Sequence, residues 1–215
     1  MSLVDATELA ILNELFGGTA FAADATLFGA LFTTAPADDG SGGVEANYGA
    51  YARVSVTNNT TNFPSANPKL NATSVGFPQA TSAQAGLVKA FGWYTASSGG
   101  TLRVWAYLCD QLIPMAVGLA TGDLVWAPGH SWVADTKVIV WAPAGSTLPT
   151  GLSAGTEYFV RAPSGNSLQL AATAGGSAID ITADGAMIIA RSRFTTVNIG
   201  DTPSVAANGF SLTLD

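Results

Sequence analysis

Residues 25–34 read ATLFGALFTT, and alternation puts Leu27 and Leu31 on one side of a strand and Phe28 and Phe32 on the other. A strand that is apolar on both faces has to be covered on both sides. The same holds for LVKAFGWYT (87–95) and LRVWAYL (102–108), whose Phe91, Trp93, Tyr94, Trp105 and Tyr107 fall on both faces. The Ser-Ser-Gly-Gly run between them makes the pair a hairpin. A single sandwich supplies one cover, so part of the second is expected from other subunits. Composition agrees: only 11% of the 215 residues are charged, where an ordinary soluble domain has about 25%.

The same composition excludes several classes of function. With 8 Lys and Arg against 15 Asp and Glu, the net charge of −7 repels a phosphate backbone, so no nucleic-acid partner is expected. No apolar run reaches the roughly 18 residues of a membrane-spanning helix, and no cationic segment opens the chain, so neither a membrane partner nor a secretory signal is expected. Lone Cys109 and lone His130 rule out an internal disulfide and zinc sites built from several cysteines or histidines. Neither a G-x-S-x-G elbow nor a phosphate-binding glycine loop occurs. The run DITADG (180–185) has the first ligands of a calcium loop, but Arg191 stands where its bidentate Glu belongs. Asp38, Asp39, Asp123, Asp135, Glu157, Asp180 and Asp184 read as turn or strand-end carboxylates, and His130 as a turn residue. The chain therefore reads as a non-enzyme with no cofactor and no metal.

Organisation follows from periodicity. Asp5, with Glu8 in capping-box spacing, opens a helix whose face Ile11, Leu12, Leu15 and Phe16 packs on the β core or on a neighbouring subunit, and Gly17-Gly18 ends it. Beyond it, YARVSVT (51–57) alternates as a half-buried strand between loops at 35–50 and 58–74. From Asp110 onward, short runs (DLVWA, KVIVWA, EYFVRA, SLQLAA, AIDIT, AMIIARSRF) recur between Gly, Pro and Asn turns. The predicted fold is mainly β, a sandwich or jelly-roll-like core with a short N-terminal α-helix. That core spans 1–109 plus 191–215, and 110–190 is a small inserted β module.

Four segments, LFGGTAFAADATLFGALFTTAP (15–36), GAYARVSVT (49–57), FPQATSAQAGLVKAFGWYTASSGGTLRVWAYL (77–108) and GFSLTLD (209–215), together resemble tailed-bacteriophage virion proteins of the tail fibre-like family. Two departures stand out. Ala85-Gly86 occupies a place where that family often has Trp-Gly, and an insertion of about 80 residues lies between the hairpin and the last strand. Within them, 146–186 resembles a β module recurring in phage tail and appendage proteins. The resemblance implies a virion structural protein, assembled in the host bacterial cytoplasm and working as a homo-oligomer, a trimer being favoured, with other tail or capsid proteins. A tail-associated fibre-like, collar or adaptor subunit is the first reading, with a capsid decoration or cement protein and a host-glycan receptor module as the alternatives; no shaft repeat is present, which favours a compact knob, collar, adaptor or decoration subunit over an elongated fibre. On these readings Ile11, Leu12, Leu15, Phe16, Phe28 and Phe32 form the assembly face, and Trp126, Trp132 and Trp141 are the tryptophans that would stack on sugar.

Overall fold

A computed structural model describes residues 2–212. The protein is mainly β with one short N-terminal helix, as its strand and turn pattern predicts. In chain order, β1 (Ser2–Leu3) and α1 (Asp5–Phe16) precede β2 (Thr26–Thr34), β3 (Val44–Glu45), β4 (Val54–Thr57), β5 (Lys69–Leu70), β6 (Val75–Gly76), β7 (Ala90–Tyr94) and β8 (Leu102–Tyr107). Then come β9 (Cys109–Leu119), β10 (Leu124–Trp126), β11 (Lys137–Trp141), β12 (Glu157–Ser164), β13 (Ser167–Ala171), β14 (Gly185–Ser192), β15 (Ser204–Val205) and β16 (Ser211–Leu212). Two compact units result: one holds the chain through Tyr107 and again from Phe194, the other is Leu108–Arg193.

The first unit is built on an antiparallel sheet ordered β1-β8-β7-β2-β3, with β4 also on β2. Opposed residues share a face. Register sets Leu31 against Phe91 and Trp93 against Val104 on one face, and Phe32 against Ala90 on the other. The first face is covered by Phe63, Phe77 and Phe210, whose rings meet Trp93 and Phe91 edge-on at 5.5, 6.4 and 6.1 Å. The second closes as a cluster of Val4, Ala30, Phe32, Ala90 and Leu102. The chain itself therefore buries the middle of both faces, while Phe28, Tyr94, Trp105 and Tyr107 stay half-buried. Phe63 comes from the stretch read as loop at 58–74, an isolated apolar residue with no period to betray it.

Those loops are held by the two-stranded ladders β5–β16 and β6–β15 and by one buried amide. Asn71 donates from Nδ2 to the carbonyls of Thr73 and Ala206, both at 2.8 Å, and accepts the Phe210 amide at Oδ1, also at 2.8 Å. The hairpin forms as predicted, β7 on β8, with Gly99 and Gly100 at φ of 60 and 73°. A Cβ at position 100 would stand 2.8 Å from Thr95 Oγ1, so this left-handed turn admits only glycine without strain.

The helix spans the expected residues, but its cap differs from the expectation. Val4, not Asp5, is the N-cap, and Thr7 and Glu8 donate to its carbonyl. Val4 is buried and its amide donates to the Arg103 carbonyl at 3.2 Å, which ties the departure of the helix to the sheet edge. Asp5 and Glu8 then lie in the first turn, where carboxylates favour the positive end of the helix dipole.

The second unit is a closed antiparallel barrel in the order β10-β13-β12-β11-β14-β9. Alternate residues point inward: Val138 and Val140 on β11, Leu168 and Leu170 on β13, Met187 and Ile189 on β14, all buried in one cluster with Val125 and Trp132. β9 carries a bulge. Ile113 faces Ile189 and Asp110 faces Arg191, so Gln111 and Leu112 both lie opposite Ala190, and Gln111 sits at φ 47°. Such bulges re-aim side chains at barrel rims.

Candidate functional site

The helix presents the first candidate surface. Leu12, Leu15 and Phe16 are exposed, Phe16 to 85%, together with Leu9; Thr7 is the buried residue of the helix. Leu9, Leu12 and Phe16 fall at i, i+3 and i+7, one stripe along the helix. Ile11 and Phe28 are half-buried, whereas Phe32 is fully buried in the first unit's own core and is unavailable to a partner in this arrangement. Of the six residues expected at an assembly face, the structure thus gathers three exposed ones on the last turns of α1.

The three tryptophans of the barrel occupy three different settings. Trp126 is 43% exposed on the outer side of β10, opposite Val117 of β9. Trp141 is half-buried at the end of β11, opposite Ile188. Trp132 is buried: its Nε1 donates to Gln111 Oε1 at 2.8 Å and its ring stacks on His130 at 5.6 Å. Its flat faces are therefore not free to meet a sugar.

Beside that stack opens a cavity of about 280 Å³ lined by Gln111, Leu112, Ile113, Gly129, His130, Ser131 and Trp132. Every lining residue is uncharged. Both ring nitrogens of His130 are buried without a hydrogen-bond partner. The sequence reads His130 as a turn histidine, the single imidazole of the chain, and no motif marks Gln111 or Ser131.

The carboxylates serve the fold. Asp123, Asp135 and Asp184 accept the amides of Ile181, Gly175 and Ala120 at 2.9, 2.8 and 2.8 Å. Asp110 is gripped by Arg191 through two bonds of 2.7 Å and by Arg193. Those guanidiniums hold its carboxyl below the ordinary carboxylate value. Glu45 and Arg53, which no motif marks, form a partly buried pair, with Arg53 also donating to the carbonyls of Ala96 and Gly99 at 2.7 Å each. Burial pushes the Cys109 thiol up to about 11, the opposite of what a nucleophilic cysteine needs. Among the described residues, no group of three His, Cys, Asp or Glu side chains could hold a metal ion.

No curated protein matches the chain. Residues 2–112, just over half of it, match the family model described as Podophage GP4 fiber I protein gp80, a span that takes in α1, strands β1–β8 and the start of β9. A match over more than half of its length makes the chain a member of the podophage GP4 fiber I protein gp80 family, a family of bacteriophage structural fibre proteins.

Proposed function

We propose that the protein is a tail-associated virion subunit, an adaptor or collar-like piece rather than a shaft, which assembles with copies of itself through α1. The observation that carries this reading is the helix. Twelve residues are too few for a helix stable in water on its own, yet Leu9, Leu12, Leu15 and Phe16 remain exposed. Packing the same stripe from several copies around an axis would bury these side chains, each worth about 1.5–3 kcal/mol when fully covered. The barrel is read here as a module inserted at 110–190 into the fibre-family core.

The test is the oligomeric state of the full chain by light scattering, beside a double variant Leu12→Ser, Phe16→Ser. The expected result is an oligomer, a trimer being favoured, that becomes a folded monomer in the variant and is no longer incorporated into particles. A wild-type monomer whose variant enters particles normally would overturn the helix reading. Copy number per purified particle separates tail from head: the many copies that coat a capsid would replace this proposal with the decoration reading.

A further inference from the structure

We propose that the barrel unit pairs with a second copy of itself through one apolar side of its outer wall, the side formed by β11, β14, β9 and β10. Ala116, Val125, Val138, Val140, Met187 and Ile189 fill the interior, so their neighbours along each strand point outward. Register lines these up in two rows. Trp141 lies opposite Ile188, and Ile188 lies opposite Pro114 and Met115, which fall between the pairs Met187–Ala116 and Ile189–Ile113. In the next row Ala186 stands opposite Val117, and Val117 opposite Trp126. Met115 is 76% exposed, Trp126 43% and Leu124, beside it on β10, 37%; Val117, Trp141 and Ile188 are half-buried. The far side of the same wall is polar. There Arg161 of β12 lies opposite Gln169 of β13, Ser167 follows beyond Trp126, and the ring of Phe159 has the Lys137 ammonium 5.9 Å from its centre. One side of the barrel is thus suited to water, and the other, apolar inside and out, calls for cover.

Two observations select a copy of this chain as the occupant. The first is charge. No Asp, Glu, Lys or Arg stands in either row, so the face holds nothing that recognises a charged partner. The chain as a whole carries −7, and its copies repel one another wherever their carboxylates meet. These rows avoid that repulsion, and the partner they suit is as apolar as they are. A second copy brings such a face, because a two-fold axis sets the same rows against each other. The second observation is area. At about 200 Å² for a large side chain, the exposed fractions of Met115, Trp126 and Leu124 leave about 300 Å² of apolar surface. A dimer at the low end of the size range buries about 600 Å² per partner, about 60% of it apolar, and the half-buried neighbours supply the difference. The face has the size for a reversible dimer and not for an obligate one, with a dissociation constant on the order of 0.1–1 mM.

The contact does not depend on assembly through α1, and both are tested on the full chain. Sedimentation is run from about 10 μM to about 1 mM on Leu12→Ser, Phe16→Ser, which removes the helix stripe. This variant is expected to be monomeric at the low end and a reversible dimer at the high end, with amide shifts on dilution at 115–117, 126 and 186–188. The wild-type chain is expected to grow beyond its α1 oligomer over the same range. Adding Met115→Ser and Trp126→Ser is expected to weaken dimerisation at least about tenfold while circular dichroism stays unchanged. Should that variant fail to fold, Met115→Glu, at a position 76% exposed, places like charges in the contact and is expected to abolish it. A helix variant that stays monomeric throughout overturns the proposal. So does a dimer that survives the face substitutions, a set of shifts confined to β12 and β13, or binding to phosphatidylcholine vesicles without self-association, which would assign the face to lipid. A wild type that behaves as the helix variant, dimerising over the same range, refutes assembly through α1 and supports the barrel contact.

Discussion

Replacing Arg53 with Met keeps the stem of the side chain and removes its charge and its bonds. The guanidinium Nε lies 3.0 and 3.1 Å from the two Glu45 oxygens, Nη1 reaches the carbonyls of Ala96 and Gly99, and the group sits 3.5 Å from the centre of the Tyr94 ring. An exposed ion pair contributes about 0–1 kcal/mol, whereas breaking a buried one costs about 3–5. The Arg53 side chain is 8% exposed and that of Glu45 26%. The carboxylate left behind can therefore rehydrate in part, which puts the expected loss near the lower end, about 3 kcal/mol. With a urea slope of about 2 kcal/mol per molar, the midpoint falls by about 1.5 M. The assay is a urea titration read on amide signals of β2 and β7, which follows the first unit separately from the barrel. Adding Glu45→Gln removes the stranded charge and is expected to recover about half of the loss, the carbonyls of Ala96 and Gly99 staying unpaired. A midpoint within about 0.3 M of the wild type would mean a surface-like pair, and a double variant no better than the single one would mean that the stranded charge is not the cause.

Asn71→Ala removes three hydrogen bonds and leaves the Phe210 amide without its acceptor; the expected loss is about 2–3 kcal/mol, seen as faster amide exchange from residue 204 onward with the barrel unchanged. For Asp110, the hydrogen bond from Arg191, followed by the bond and charge of Arg193, lowers the folded carboxyl below its ordinary 3.8. Stability from a depressed carboxylate is present above the unfolded value and is lost as pH falls through the folded one. Asp110→Asn should therefore destabilise the barrel at neutral pH by no more than about 1 kcal/mol for so exposed a pair, read as a lower Tm, and the difference from wild type should close on acidification. Cys109, pushed up to about 11, is only about 0.1% thiolate at pH 8. Iodoacetamide should label it slowly in the native chain and rapidly in urea, and fast native labelling would contradict its burial.

What the sequence made legible is local and periodic. The two-faced run at 26–34, the hairpin across Gly99 and Gly100 and the alternation of β11 and β13 each span enough residues to show a period, and each forms where its pattern puts it. The parts that stayed hidden depend on distant partners. Asn71 lies in a stretch whose composition suggests only loop, and its role appears when Phe210, 139 residues away, returns to it. Two-residue strands such as β5 and β16 are too short to carry any alternation. Barrel closure is a matter of register between β9 and β14, and the bulge that turns Gln111 toward Trp132 leaves no mark in composition or spacing. The candidate pocket is invisible for the same reason: it joins the bulge to a loop eighteen residues further on.

The shortage of charge has a different meaning once the contacts are known. It first suggests sheets awaiting cover from outside, but Phe63, Phe77, Phe210 and Val4 cover the middle of both faces of the sheet from within. Five of the eight lysines and arginines act as ties: Arg53, Arg103, Lys137, Arg191 and Arg193 each bridge to a carboxylate. What remains unexplained by internal packing is the distribution of exposed apolar side chains. Of the eleven large ones among the described residues, four lie within the last eight residues of α1. No other element carries more than two of them, and the helix holds three carboxylates, Asp5, Glu8 and Glu14, without a single cation. The physical case for assembly therefore moves from the strands to the helix, where cover is missing and where two substitutions can remove the need for it.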